Sequence, residues 1–122
     1  MLIPLERTLK DYTNKNCVAC SINAPIVEKE TLSQFLNFHP DWELTEILNI
    51  PQINRVYRFS KYLSGVSFVN RIAELAENEG HHPDILLEYN KVTVRWWSHK
   101  IKNIHENDLI MAAKSDFLFK GL

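Results

Sequence analysis

Apolar and polar residues follow two different periods along this chain, and these periods divide it into predicted helices and strands. Three segments repeat apolar residues every three or four positions, which is typical of helices with one buried face: 28–38, 61–79 and 106–119. Four segments alternate or carry short apolar runs, which is typical of strands: 42–50, 53–59, 84–89 and 92–99. Pro51 punctuates the chain between the first two strands, and a tight turn at Asn90 and Lys91 is predicted between the last two.

The order of these elements predicts an α+β domain. Short connections between strands favour antiparallel pairing, and helices bury their apolar stripes against a sheet. We therefore expect a four-stranded antiparallel sheet with about three helices packed on one face, built from residues 28–122. Residues 1–27 lack sustained periodicity and are predicted to form a partly ordered N-terminal arm. Gly80 follows the longest helix, where glycine often closes a helix in the left-handed conformation.

Length and charge exclude several classes of protein. The 122 residues suffice for one domain with one core. Fourteen basic and 15 acidic residues give a net charge of −1, without the basic excess of a nucleic-acid-binding protein. No apolar run approaches the roughly 18 residues of a membrane span. The first residues resemble no secretion signal, so a cytoplasmic location is expected.

The two cysteines, Cys17 and Cys20, form a CxxC pair in the N-terminal segment. Such a pair can be half of a zinc site or a redox couple, but no second CxxC or HxxxH supplies further zinc ligands. The pair also does not stand between a strand and a helix, as a thioredoxin-like pair would. We expect two reduced thiols and no metal site; zinc bound by both cysteines and nearby histidines is the alternative.

The last predicted strand separates its side chains into two sets, because successive residues point to opposite faces of a sheet. One set is apolar and is predicted to lie under the helices: Val92, Val94 and Trp96. The other set is mixed and is predicted to face water or a ligand: Thr93, Arg95, Trp97 and His99. A histidine is therefore expected at the end of this strand, on its wetter side.

Three of the five histidines lie close together in the sequence, at His81, His82 and His99. His82 precedes Pro83, which restricts it to an extended backbone, so the two adjacent imidazoles are expected to point in different directions. That arrangement disfavours one metal bound by both. Imidazole exchanges protons near neutral pH, and two imidazoles on opposite sides of a small substrate could act as acid and base. Since no serine or cysteine lies in an activated motif, proton transfer is favoured over acyl transfer.

The spacing of these residues resembles the signature of the pterin-4a-carbinolamine dehydratase family. The signature begins at Glu77, runs through the histidine pair, Pro83, Tyr89 and His99, and ends at Asp108, with every fixed position matched. Trp42, the stretch INRVYRFSKY and the arm CVACSINAPIVEKE are also similar to the corresponding parts of family members. The resemblance covers about residues 17–120.

The resemblance implies an activity, partners and an alternative. The activity is dehydration of 4a-hydroxytetrahydropterin to the quinonoid dihydropterin, which recycles the cofactor of aromatic amino acid hydroxylases. A pterin would be the substrate, no metal or other cofactor would be needed, and the chain would associate as a homodimer or homotetramer. A hydroxylase of this pathway is the implied functional partner. The alternative is a non-catalytic dimerisation or assembly factor, since some relatives use the same fold in that way.

Four residues would be catalytic if the resemblance holds. His81 and His99 would exchange protons with the substrate, in an order that the sequence leaves open, and His82 would position the pterin. Asp108 matches the acid of the family. A carboxylate in the first turn of a helix is, however, also favoured by the exposed backbone amides and the helix dipole.

The resemblance also implies residues that would contact the substrate. They are Trp42, Glu77, Gly80, Pro83, Trp97, Ser98 and Lys100. Trp42 would be either a flat apolar contact or a core residue. Glu77 lies one helical turn before His81 and would either orient it by a hydrogen bond or be an exposed carboxylate at the helix end.

Three positions depart from the common pattern of the family. Asn107 stands where many members carry a basic residue, which removes one charge that could contact the substrate. His105 stands where a Ser or Thr helix cap is common, so the last helix is expected to begin with a different closure. Trp97 is larger than the usual residue before the final Ser-His pair and is expected to narrow the pocket.

Overall fold

The computed structural model describes residues 11–19 and 21–122, and within them it has the predicted α+β architecture. The helices are α1 (Lys29–Phe38), α2 (Tyr62–Glu79) and α3 (Glu106–Lys120). The strands are β1 (Glu43–Ile47), β2 (Ile50–Arg58), β3 (Asp84–Glu88) and β4 (Lys91–Trp96). They form one antiparallel sheet in the order β1-β2-β4-β3. The predictions of the fold class and of the four-stranded sheet are confirmed.

The core lies between the helices and one face of the sheet. The β2–β4 register places Tyr57 opposite Val92 and Ile53 opposite Trp96, and all four side chains are at most 1% exposed. Directly opposed residues point to the same face, so this face is the one that α2 and α3 cover. The predicted buried set of the last strand is confirmed, because Val94 is also fully buried, but Thr93 of the set predicted to face water is buried as well.

The hairpin between β1 and β2 differs from the prediction. Pro51 does not separate the strands but lies inside β2, opposite Glu46, and the turn is formed by Leu48 and Asn49 with φ of 52° and 66°. Ile47 and Ile50 flank this two-residue turn and form the hydrogen-bonded pair, so the nitrogen of the next residue points away from β1. The β2–β4 register begins only at Ile53. Proline is therefore tolerated where no neighbouring strand requires its missing N–H.

The hairpin between β3 and β4 is shifted by one residue from the prediction. Glu88 pairs with Lys91, so the turn is formed by Tyr89 and Asn90. Strand β4 ends at Trp96, three residues before the predicted end. His99 therefore lies in the turn beyond the strand, although it is exposed as expected.

The helices differ from the predictions in the direction of their faces rather than in their bounds. The inner face of α2 runs through Gly65, Phe68, Ile72 and Ala76, and Gly65 is so close to β3 that a Cβ there would lie 3.3 Å from Leu87 Cδ1. Tyr62 of the predicted stripe is 47% exposed, and Phe117, predicted to point inward from α3, is 64% exposed. The left-handed closure at Gly80 is confirmed by its φ of 65°.

The N-terminal segment packs on α3. A short 3-10 helix at Tyr12–Asn14 buries the ring of Tyr12, and Lys15 forms an ion pair with Glu106 at 2.9 Å. Farther along, the backbone N–H of Val27 donates to the carbonyl of Ile104. The first ten residues of the predicted arm, and Cys20, lie outside the described residues. In the part of the chain that the structure describes, no helix combines the length and apolar character needed to cross a membrane.

Candidate active site

The three predicted histidines meet at one small pocket. It has a volume of about 160 Å³ and is lined by Gly80, His81, His82, His99 and Lys100. The Gly80–His82 corner forms one side, and the turn after β4 forms the other. Because a water molecule occupies about 30 Å³ in the liquid, the pocket has room for about five waters or for part of a flat heterocycle.

His81 is held between the helix end and the core. The left-handed Gly80 turns the chain back, so that the backbone N–H of His81 donates to the carbonyl of Ala76 at 3.2 Å. The imidazole is 6% exposed and stacks on Trp96, with ring centroids 5.6 Å apart and planes 15° apart. Its Nε2 lies 2.6 Å from Oδ1 of Asp108. The ring is thus fixed at two points, with one edge toward the carboxylate.

Asp108 is completely buried behind His81. Besides the histidine, its carboxylate accepts hydrogen bonds from the hydroxyl of Ser98 at 2.8 Å and from the backbone N–H of His105 at 2.9 Å. The last bond closes the first turn of α3, and in return Nδ1 of His105 accepts from the N–H of Asn107. An imidazole therefore replaces the usual hydroxyl in a capping box.

Two predicted site residues consequently do not line the pocket. Asp108 lies behind His81, and Ser98, also fully buried, donates to that carboxylate instead of forming a pocket wall. Because a carboxylate only accepts hydrogen bonds, Nε2 of His81 donates to Asp108, and in the neutral form of the imidazole Nδ1 is the acceptor. Asp108 and Ser98 can therefore influence a bound substrate through the orientation of His81.

Glu77 contacts a different histidine from the predicted one. Its Oε1 lies 2.6 Å from Nε2 of His82, and both side chains are more than half exposed. The helical spacing that predicted a contact with His81 ends at Gly80, where the backbone changes direction. His82 therefore points outward toward Glu77 while His81 points inward, which is the divergence expected for adjacent histidines before a proline.

His99 has an aromatic neighbour that does not line the pocket. The rings of Trp97 and His99 are 4.0 Å apart at an interplanar angle of 36°, and Trp97 Nε1 donates to Oδ2 of Asp84 at 3.2 Å. Trp97 is not among the residues that line the pocket, so it does not narrow it as predicted. Pro83 is half-buried and also lies outside the lining, between the histidine pair and the start of β3.

Trp42 lies in the core and not at the histidine pocket. It is 3% exposed, and its Nε1 donates to the carboxylate of Asp116 at 3.0 Å. The same carboxylate accepts from Tyr57 OH at 2.6 Å and from Arg55 at 2.7 Å. Of its two predicted roles, the structure gives Trp42 the core position.

The Asp116 cluster (Asp116 with Trp42, Arg55, Tyr57 and His39) was not predicted from the sequence. Burial alone would raise the pKa of Asp116, but hydrogen bonds from His39, Tyr57 and Trp42 and the charge of Arg55 outweigh it, so the pKa is lowered. Burial, followed by the nearby carboxylate, raises the pKa of Tyr57. The sequence feature that could have indicated this cluster is the acidic residue Asp116 on the buried side of α3.

Hydrogen bonds of Cys17 and Val18 attach the N-terminal segment to Glu79 of α2 and Asn107 of α3. The N–H of Cys17 donates to Glu79, and the amide of Asn107 both accepts from the N–H of Val18 and donates to its carbonyl. Burial, with the charges of Glu79 and Asp108, raises the pKa of the Cys17 thiol to about 12. Among residues 11–19 and 21–122, no group of three His, Cys, Asp or Glu side chains could hold a metal ion.

Together, the fold and the site define a small α+β domain that presents a carboxylate-backed histidine and a second histidine to one pocket. The family model of pterin 4 alpha carbinolamine dehydratase matches residues 25–118. The chain is 43% identical over 112 residues to a protein of Syntrophotalea carbinolica whose provisional name is pterin-4-alpha-carbinolamine dehydratase; the match covers 92% of this chain and 100% of that one. A Nitrosococcus oceani protein with the same provisional name is 44% identical, covering 92% and 99%. The chain belongs to the pterin-4a-carbinolamine dehydratase family.

Two solved structures share the fold. A protein from Brucella melitensis, described as a transcriptional coactivator/pterin dehydratase, superposes with a TM-score of 0.69 at 23% identity, over 77% of this chain and 98% of that one. A pterin dehydratase-like protein described as a RuBisCO assembly factor in the alpha-carboxysome gives a TM-score of 0.55 at 23% identity, over 64% and 88%. At this level of identity the likeness concerns the fold alone.

Proposed function

We propose that the protein dehydrates 4a-hydroxytetrahydropterin to the quinonoid dihydropterin by histidine acid–base catalysis. The observation that carries the proposal is that His81, backed by the buried Asp108, and His99 border the same pocket. Family membership supplies the substrate class. The pterin is the substrate, and the proposed reaction needs no metal and no further cofactor.

The proposed chemistry requires one base and one acid. The base removes the proton from N5 of the pterin, and the electron pair released forms the C4a=N5 double bond. The C4a–O bond breaks as the acid protonates the departing hydroxyl, which leaves as water. We assign the base to His81, because its bond to Asp108 leaves Nδ1 as an acceptor and stabilises the ring once it is protonated. His99 is the acid, and solvent returns both imidazoles to their starting states.

The other residues around the pocket would bind the substrate. His82, paired with Glu77, would hold the pterin ring, while Gly80 and Lys100 would form the rim. Asp108 would be a positioning residue, since it has no access to the pocket. We further propose a cytoplasmic protein that self-associates and serves an aromatic amino acid hydroxylase pathway.

The test is a direct assay with freshly generated 4a-hydroxytetrahydropterin, followed by its ultraviolet change. His81→Ala and His99→Ala are expected to lower kcat by about a hundredfold or more, which is the usual contribution of general acid–base catalysis. His39→Gln is the matched control, because this histidine lies beside Asp116 and not at the pocket; its rate should stay within about twofold. A chelator should leave the wild-type rate unchanged. Folded wild-type protein that does not accelerate the reaction over buffer would refute the proposal.

The rival is a non-catalytic assembly factor; one protein of the same fold is described as a RuBisCO assembly factor. A scaffold would need Asp108 to close the first turn of α3, but it has no evident use for the exposed His99 at the same pocket as His81. A stoichiometric protein partner whose binding survives replacement of His81, His82 and His99, together with absent turnover, would favour the rival.

A further inference from the structure

The two sides of the histidine pocket are joined by a contact outside it. Asp84 is the first residue of β3, two positions after His82, and it lies directly opposite Arg95 in the β3–β4 register. Trp97 lies two residues beyond Arg95. Diagonal neighbours of this kind are within reach of a long aromatic side chain, and the indole N–H indeed donates to Asp84 at 3.2 Å.

His99 has this indole as its aromatic neighbour, at a centroid distance of 4.0 Å. The imidazole is exposed, and among residues 11–19 and 21–122 its ring has no hydrogen-bond partner. His81, by comparison, is fixed by Asp108 and Trp96. An exposed imidazole with no fixed partner would sample several rotamers.

We propose that Trp97 and Asp84 are positioning residues that hold His99 toward the pocket. The indole restricts the imidazole through the tilted ring contact, and the carboxylate of Asp84 fixes the indole from the opposite side of the site. Neither residue lines the pocket, so neither is expected to bind the substrate. The two residues would raise the fraction of molecules in which His99, the proposed acid, points at the substrate. A misplacement of about an ångström can lower the rate strongly.

The effect of Trp97 and Asp84 on the reaction rate rests on the proposed function. Their effect on the position of His99 can be measured independently of that function. In the proton NMR spectrum the His99 ring signals are assigned as those that His99→Ala removes. The ring current of an indole 4.0 Å away is expected to shift them upfield. In Trp97→Ala these signals should move to the positions of an exposed, unstacked histidine, whereas Trp97→Phe should retain part of the shift.

Measurements of kcat and KM distinguish a positioning residue from a residue that binds the substrate. Trp97→Ala should lower kcat by about 2- to 12-fold, the value of an aromatic pair, with KM changed by less than about twofold. Asp84→Ala should have an effect of similar size, because it releases the indole, and Asp84→Asn should restore most of the rate, since its amide oxygen can still accept. Glu88→Ala, on the same face at the far end of β3, is the matched control and should change neither rate nor spectrum.

Each outcome decides a separate point. Unmoved His99 signals in Trp97→Ala would overturn the positioning contact, whatever the rates are. Moved signals with unchanged kcat, in a protein whose His99→Ala variant is slow, would show that the contact is irrelevant to catalysis. A raised KM with unchanged kcat would make Trp97 a binding residue. A wild-type protein without turnover would refute the proposed function, and the spectra would still decide whether Trp97 and Asp84 hold His99.

Discussion

Replacement of Asp116 by asparagine tests how strongly the Asp116 cluster stabilises the fold. The carboxylate accepts from Trp42, Tyr57 and Arg55 at 3.0, 2.6 and 2.7 Å, and its side chain is 12% exposed. Hydrogen bonds to a charged group contribute about 1.5–3 kcal/mol each and are not additive. Because an amide would turn an NH₂ group toward one or more of these donors and leave Arg55 without its anion, we expect a loss of about 2–4 kcal/mol at pH 7.

The effect should depend on pH in a definite direction. The pKa of Asp116 is lowered in the folded protein, so above about pH 5 both folded and unfolded chains carry the charge and its contribution is complete. As the pH falls below about 4 the unfolded chain binds a proton that the folded chain still excludes. Toward acid pH this linkage therefore lowers the free energy of unfolding of the wild type, by at most about 1 kcal/mol at pH 3, and leaves that of the variant unaffected.

Urea unfolding of both proteins at pH 7 and pH 3 measures these differences. The matched control is Asp41→Asn, since Asp41 contacts the same Arg55 at 3.5 Å but is 70% exposed; its cost should be below about 1 kcal/mol. The account of the cluster is refuted by a cost for Asp116→Asn no greater than that of the control. It is equally refuted by a difference between wild type and variant that grows toward acid pH.

Two further predictions concern the site and the arm behind it. Asp108→Asn should lower kcat by about 10- to 100-fold in the dehydratase assay with little change in KM, because it removes one charged hydrogen bond to His81; an unchanged kcat in folded variant would contradict the positioning role. Asn107→Ala should lower the free energy of unfolding by about 1–3 kcal/mol and speed proteolysis within residues 11–19, because it removes both bonds to Val18. Asn16→Ala, at an exposed position of the same segment, is the control. Equal cleavage rates in the two variants would show that the bonds between Asn107 and Val18 do not hold the segment in place.

Much of the fold could be predicted from the sequence because burial imposes clear periods. In β4 the apolar residues Val92, Val94 and Trp96 stand at every second position, so only one face of the strand can be turned toward the core. The β1–β2 turn could not be predicted, because Leu48 has a positive φ that its local preference opposes. Strand pairing imposes that conformation, and pairing is not a local property of the sequence.

The candidate site could be predicted only in part. Neighbouring ends of a helix and a strand made it reasonable that His81 and His99 would share a pocket. The link from Asp108 to Ser98 depends on how the first turn of α3 docks against the chain beyond β4, which no spacing encodes. Of the two roles predicted for Glu77, the structure has the exposed carboxylate at the helix end. The contact with His81 is absent because an interval of four residues implies contact only while the helix continues, and here it stops at Gly80.

The double use of Asp108 affects how other members of this family should be judged. The carboxylate that orients His81 through Oδ1 also closes the first turn of α3 through Oδ2, so a relative that had abandoned chemistry would still need an acid there to begin the helix. Retention of that acid is therefore a poor sign of a working enzyme. His99 supports no helix and fills no core, so under the proposed mechanism its replacement in a relative would be the clearer sign that the dehydratase activity has been lost.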